Sequence, residues 1–354
     1  MNAFGSDNKP TRSAFDLILV TSQAIFAISS LLALALTLTD RISLDSGTGT
    51  ALMLAIFSAL YFLFFFQFIR YTRRIRHYKF RLAVTGLPQA GKTVFSILIF
   101  DALMNGRAPG VDFSAESRAV IAVYQAIRNL PAGIWPRSTS TGNVSLYEGT
   151  INAKRTKIDL EVGDSAGEYW LDFSDEEQRN PGYLEYVISA HGIAHVIPFD
   201  HLMERDDRET ISREVDDLRL VARLKQQIRG GTSAVPLLIV LSKVDLVVPM
   251  SSLTKDDTDL FRIVQEEDLP SLGILQAMPE PLRESTLTRL STLSRQLNRD
   301  FTGVHFIFSS APAIAEGRLH VDRYSGNMIS WILDEARRPA RAGRSPIETL
   351  LGVR

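Results

Sequence analysis

Two long uncharged stretches dominate the hydropathy pattern at the N-terminal end of the chain. No charged residue occurs from Leu17 to Thr39, or again from Ser46 to Ile69. Each stretch exceeds the roughly 20 residues that a helix needs to cross about 30 Å of hydrocarbon. The pattern predicts a transmembrane helical hairpin over 15–70; the first run is too long for a signal-peptide core and a second span follows at once, so cleavage is not expected. Beyond the hairpin the period shortens. Arg81–Thr85, Val144–Tyr147, Lys157–Val162, Val196–Phe199, Pro236–Leu241 and Val304–Phe308 read as strands, with helical patterns at Val94–Leu103 and Ser114–Asn129. Strands separated by helical stretches predict an α/β domain with a doubly wound, mostly parallel sheet.

Charge placement orients the hairpin. Arg70, Arg73, Arg74, Arg76, Lys79 and Arg81 follow the second span, whereas the connecting loop holds only Arg41 between Asp40 and Asp45. An excess of basic residues marks the cytoplasmic side, so both termini are expected in the cytoplasm and the catalytic domain on the cytoplasmic face of the inner membrane. The expected organisation is a cytoplasmic tail 1–14, the hairpin 15–70, a basic juxtamembrane linker 71–80 suited to anionic lipid, a globular domain 81–337, and a basic tail 338–354.

Composition narrows the chemistry. The formal net charge of −1 over 354 residues gives no support for nucleic acid as a partner, and the absence of cysteine excludes disulfides, thiolate metal sites and cysteine nucleophiles. His191 and His195 share a four-residue spacing, but the intervening residues lead into a strand, so a helical metal pair is not expected.

The strongest motif is Gly86-Leu87-Pro88-Gln89-Ala90-Gly91-Lys92-Thr93, set between a strand and a helix. Its physical logic is that of a phosphate loop. The glycines let the backbone amides from Gly86 through Gln89, Ala90 and Gly91 converge on phosphate. Lys92 can reach the β and γ oxygens, the Thr93 hydroxyl can ligate Mg²⁺, and the helix starting at Lys92 points its positive end at the anion.

Downstream, Gly163-Asp164-Ser165-Ala166-Gly167-Glu168 ends one strand, Ser242-Lys243-Val244-Asp245 ends another, and Ser309-Ser310-Ala311 ends a third. In this order the motifs resemble those of the translation-factor-related, Ras-like P-loop GTPases, so the predicted fold is that family's G domain. The resemblance implies that Asp164 holds the Mg²⁺ shell and that the Gly167 amide senses the γ-phosphate. It also implies that Ser242, Lys243 and Asp245 stand in the base-reading N/T-K-x-D position, and that Ser310 and Ala311 form the S-A element. A carboxylate at Asp245 can accept from guanine N1 and the exocyclic amine, a donor pair that adenine lacks. Pro312 replaces the lysine that usually follows the S-A element. The wording around the phosphate loop, and Asp164 through Phe173, is similar to the bacterial YcjX-like stress-associated GTPases. A membrane anchor joined to a G domain also resembles the β subunit of the signal-recognition-particle receptor.

GTP or GDP with Mg²⁺ is therefore the expected ligand set. The first switch is expected within Trp135–Thr141, with Thr139 chosen over Thr141 as a Mg²⁺ ligand and Arg137 as an internally supplied arginine finger, the alternative being a partner's arginine; Glu168 occupies the place of the Ras-like water-orienting glutamine. A glutamate there either accepts a proton at a raised pKa or turns away from the γ-phosphate. With Lys92 these two complete the expected catalytic set. The segments 107–135, 169–190 and 250–300 exceed a minimal G domain and are the expected surfaces for a protein partner. The competing reading is a membrane-bound P-loop ATPase, or a scaffold subunit of a secretion or defence assembly in which nucleotide is structural.

Overall fold

The chain divides into two units, Met1–Arg74 and Ile75–Arg354. The computed structural model describes residues 76–105, 110–130, 134–136, 144–153, 156–171, 175, 180–204, 208–229, 235–253, 259–312 and 322–342. The predicted hairpin, 15–70, lies outside the described residues. Among the described residues no helix is long and apolar enough to cross a membrane.

The second unit is built on one seven-stranded sheet. Its strands are β1 (Arg76–Thr85), β2 (Val111–Ala115), β3 (Val144–Ala153), β4 (Thr156–Ser165), β5 (Gly192–Pro198), β6 (Pro236–Ser242) and β7 (Gly303–Phe308), in the spatial order β2-β3-β4-β1-β5-β6-β7. From β4 to β7 all neighbours are parallel, while β2 and β3 are antiparallel additions at one edge. Growth proceeds in both directions from β1, and such a reversal point is where open α/β sheets hold their ligands. β5 and β6 are buried at all of their positions, as expected for central parallel strands covered on both faces.

The main helices are α1 (Lys92–Asn105), α2 (Ser117–Asn129), α3 (Pro181–Ser189), α4 (Arg208–Arg229), α5 (Glu280–Leu297) and α6 (Asp322–Ala342). α6 packs on α1 and β1, and α2 packs on α1; α4 packs on both α3 and α5. Asn180 caps α3, its side-chain oxygen accepting from the Tyr183 amide at 3.0 Å, and Pro181 follows at the first helical position.

Two expectations need correction. The basic segment 71–80 is not all linker, because β1 begins at Arg76. Alternation buries Phe80 and leaves the basic side chains to pair with β4: His77 lies 2.7 Å from Asp159, Lys79 3.7 Å from Glu161, and Arg81 2.6 Å from Glu161. These three side chains are thus engaged by carboxylates of the sheet. Segment 107–135 holds the edge strand β2 as well as a helix, and the helix starts at Ser117, not Ser114. Segment 250–300, expected as a mostly helical insertion, is built into the crossover that parallel β6 and β7 require. Leu260, Ile263, Val264, Leu269 and Leu290 are buried in the core, and Val264 bridges to Phe306 of β7.

β7 also carries a buried titratable group. His305 lies beside Trp331 of α6, ring centroids 6.0 Å apart, and burial, reinforced by Arg338, lowers its pKa from 6.5 to about 4. The folded state thus prefers the neutral ring. Its contribution is complete above pH 6.5 and is lost as pH falls from 6.5 towards 4, where the unfolded chain binds the extra proton. The difference corresponds to at most about 3 kcal/mol. His305→Phe should flatten the stability profile over that interval in urea titrations at a series of pH values; an unchanged slope would assign the acid sensitivity elsewhere.

Candidate functional site

The phosphate loop turns between β1 and α1 through left-handed backbone at Gly86 (φ 132°), Gln89 (φ 61°) and Gly91 (φ 93°). A Cβ on Gly86 would stand 2.4 Å from the Val196 carbonyl oxygen in β5, so only glycine allows this approach to the sheet. Ala90 is fully buried, and its carbonyl accepts from the Ser242 hydroxyl at 2.6 Å. That bond ties the end of β6 to the loop and explains how serine serves in the first place of the Ser242-Lys243-Val244-Asp245 element.

Lys92 opens α1, and its ammonium donates to the Leu87 carbonyl at 2.8 Å. Burial pulls its pKa below the ordinary lysine range, opposed by the nearby carboxylates of Asp164, Glu168 and Glu214. A buried cation with this desolvation cost gains from a polyanion brought against it. Beside it, the Thr93 hydroxyl donates to Asp164 Oδ2 at 2.6 Å, and Asp164 is fully buried at the end of β4. A hydroxyl and a carboxylate so close form a hard-oxygen pair suited to Mg²⁺, which usually retains waters and takes phosphate oxygens as further ligands. Among the described residues no group of three or more His, Asp or Glu could hold a metal ion without such help.

Gly167 lies under the loop. A Cβ there would fall 2.3 Å from the Pro88 nitrogen and 2.4 Å from its Cα, so this backbone abuts the phosphate loop itself. Glu168 starts the single helical turn Glu168–Leu171 and is exposed. Its carboxylate is still near enough to Lys92 to favour that ammonium's charged form.

At the far side Lys243 takes a left-handed conformation (φ 55°), which directs the chain into the 3-10 turn Val244–Leu246. The Ser310 hydroxyl donates to Asp245 Oδ1 at 2.8 Å, and the Val244 amide donates to the Ser309 carbonyl at 3.4 Å. The Ser310-Ala311 segment is thereby held against the Asp245 carboxylate. The geometry brings Gly86, Gln89, Ala90, Gly91, Lys92, Thr93, Asp164, Gly167, Ser242, Lys243, Asp245, Ser310 and Ala311 to the strand ends on either side of β1. Arg137 and Thr139 lie outside the described residues. Their downstream flank is placed: β3 begins with Val144 opposite Ser165 and Ser145 opposite Asp164, so the chain enters the sheet beside the Thr93–Asp164 pair.

Several buried residues around the site belong to no motif. Thr85, His195, Glu214 and Trp170 are buried just beneath the loop, and Arg213 donates to the Leu171 carbonyl at 2.6 Å. The signal was present but weak: a histidine inside the apolar run Gly192–Pro198, and a glutamate on the face of α4 that also carries Val215, Leu218 and Val221.

The small GTPase Arl6 of Trypanosoma brucei, solved with a bound nucleotide analogue, is similar over 73% of this chain and 98% of its own, with 14% sequence identity and a TM-score of 0.36. No curated protein matches the chain. The sequence model of the family described as Double-GTPase 2 matches residues 81–304, a span that holds the phosphate loop, the Asp164–Gly167 element and the Ser242–Asp245 element. That span is more than half of the chain, and the protein is accordingly a GTPase that belongs to the Double-GTPase 2 family.

Proposed function

We propose that this GTPase is a membrane-anchored switch, which binds GTP with Mg²⁺, hydrolyses it, and presents its nucleotide state to a protein partner at the cytoplasmic face of the inner membrane. The observation that carries the reading is the packing of Gly167 on Pro88. With no room between them, a γ-phosphate that reorders the loop's surroundings must act on the turn after Gly167 as well.

In this reading the Gly86–Gly91 amides and Lys92 bind the phosphates. Thr93, Asp164 and Thr139 hold Mg²⁺, which neutralises charge on the phosphate oxygens. Lys243 and Asp245 take the guanine, with Ser310 orienting Asp245 and the Ala311 region closing the base site. Whichever way Glu168 turns, the γ-phosphate calls for a positive charge, which Arg137 or an arginine from a partner would supply. The anchor is supported by the two uncharged stretches before Arg70. Among the three candidate partner segments, 107–135 offers exposed Ile121, Tyr124, Ile134 and Trp135, each more than half accessible. Exposed large apolar side chains of this kind suit a protein contact.

Single-turnover hydrolysis of pre-bound GTP by the full-length chain tests the proposal. GTP should decay in a Mg²⁺-dependent manner, and GTP should outcompete ATP by orders of magnitude. Arg137→Ala should slow decay by a factor of order 10² or more with little change in affinity. Parity between GTP and ATP would favour the ATPase or scaffold reading, and stable GTP would leave a nucleotide-holding module. Equal rates for parent and Arg137→Ala would shift the finger to a partner. A reporter fused after Arg354 that is active only outside the membrane would overturn the orientation.

A further inference from the structure

Beneath the phosphate loop runs a buried polar chain whose members lie outside the set assigned to the nucleotide. Thr85, the residue before Gly86, has its hydroxyl 2.9 Å from His195 Nδ1; His195 Nε2 is 2.9 Å from Glu214 Oε2 on α4. With the Nε2 proton directed at the carboxylate, Nδ1 accepts from Thr85, and each group is satisfied. Thr85 and His195 are fully buried and Glu214 is 4% exposed. The His195 ring also lies against the Trp170 indole, centroids 4.9 Å apart and planes tilted by 48°. Trp170 belongs to the turn that follows Gly167.

α4 grips that turn a second time. Arg213, next to Glu214 in sequence, sends its guanidinium to the Leu171 carbonyl at 2.6 Å. The two neighbours therefore hold the turn from different sides, one through the buried His195–Trp170 pair and one at the surface. Glu214 is also among the carboxylates whose charge acts on Lys92.

We propose that His195 and Glu214 are positioning residues that lock the turn Glu168–Leu171 to the phosphate loop and transmit its nucleotide-dependent rearrangement to α4. Two apolar side chains would fill the space without the cost of burying a carboxylate, so a polar pair here has to supply direction and register. The hydrogen bonds are directional and the Trp170 contact is broad. A shift of the turn must therefore move the His195 ring, break its bond to Glu214, or carry α4 along. This inference rests on the switch reading above.

The test is hydrogen exchange on the full-length chain, loaded with GDP or with a non-hydrolysable GTP analogue, read at the amides of the turn and of α4. In the parent, both should exchange at different rates in the two states, by a factor on the order of tenfold, as befits a coupling of ordinary size. The double variant His195→Phe, Glu214→Leu, made together with Thr85→Val because the Thr85 hydroxyl would otherwise lose its partner, keeps an aromatic ring beside Trp170 and leaves no orphaned polar group in the chain. It should bind both nucleotides within about threefold of the parent and retain the difference at the turn, but lose it at α4 to within about twofold. Glu214→Gln can still accept from His195 Nε2 and should keep the difference at α4. A combined variant in which α4 still reports the nucleotide state overturns the role of the pair, as does a parent that responds at the turn but not at α4; both leave the switch reading intact. A parent with no nucleotide-dependent difference at the turn removes the switch reading and this inference together. A fold that merely needed the pair for stability would lower protection in both nucleotide states alike.

Discussion

Thr93→Ala is expected to weaken Mg²⁺-dependent GTP binding by a factor of order 10² or more, and Lys92→Ala to weaken it at least as much. Thr93 stands at the start of α1 with its hydroxyl 2.6 Å from Asp164, so alanine removes one oxygen of the pair assigned to Mg²⁺ and takes this donor from a buried carboxylate. A contact to a charged group is worth up to about 3 kcal/mol, and losing the one between the Thr93 oxygen and Mg²⁺ gives the stated factor. Lys92 should behave differently in the nucleotide-free protein. Its burial opposes the charged form more strongly than the neighbouring carboxylates support it, so removing the ammonium should cost the fold little while abolishing the attraction for β and γ oxygens. Calorimetric titration with GTP and excess Mg²⁺, together with unfolding of the nucleotide-free variants, separates the two effects. Parent-like affinity in both variants would remove the phosphate-loop assignment.

Asp245→Asn should invert base preference, lowering GTP affinity by a factor of order 10² or more while xanthosine triphosphate gains. The carboxylate offers two acceptors, and guanine presents N1–H and an exocyclic amine as donors. Ser310 determines which way the substituted amide points. Its hydroxyl donates to Oδ1 at 2.8 Å, a bond that an asparagine oxygen can keep, leaving the amide nitrogen to face the base. That nitrogen can donate to the C2 carbonyl of xanthine but opposes the guanine amine, and a site built around hydrogen bonds rejects the mismatched partner strongly. Competition of the two triphosphates for a fluorescent nucleotide measures the change. A variant that selects GTP as the parent does would show that Asp245 is not the base reader. A variant that also carries Ser310→Ala should invert less completely, because the amide is then free to rotate.

What the sequence determined by itself was local. The glycines and Lys92-Thr93 announced a phosphate loop because a turn that presents amides to an anion needs residues without a Cβ at set positions, followed by a helix. Continuous apolar runs such as Pro236–Leu241 announced central strands because both faces of a parallel sheet are covered. The short edge strand β2 was not legible, since half of Val111-Asp112-Phe113-Ser114-Ala115 faces outward and its partner Gly149–Ala153 lies far along the chain. The basic run 70–81 was read from its place after the hairpin, whereas the acids that engage its later members lie on β4, about 80 residues away. Only the tertiary structure decided that Ser242 could hold the loop through Ala90, that Gly167 has no space beside Pro88, and that His195 joins Thr85 to Glu214. Each of these depends on a contact between residues separated by long loops of chain. Spacing along a sequence records which neighbours a residue has in its own turn or strand; the contacts that couple one end of a sheet to the next are set only when the strands pack side by side.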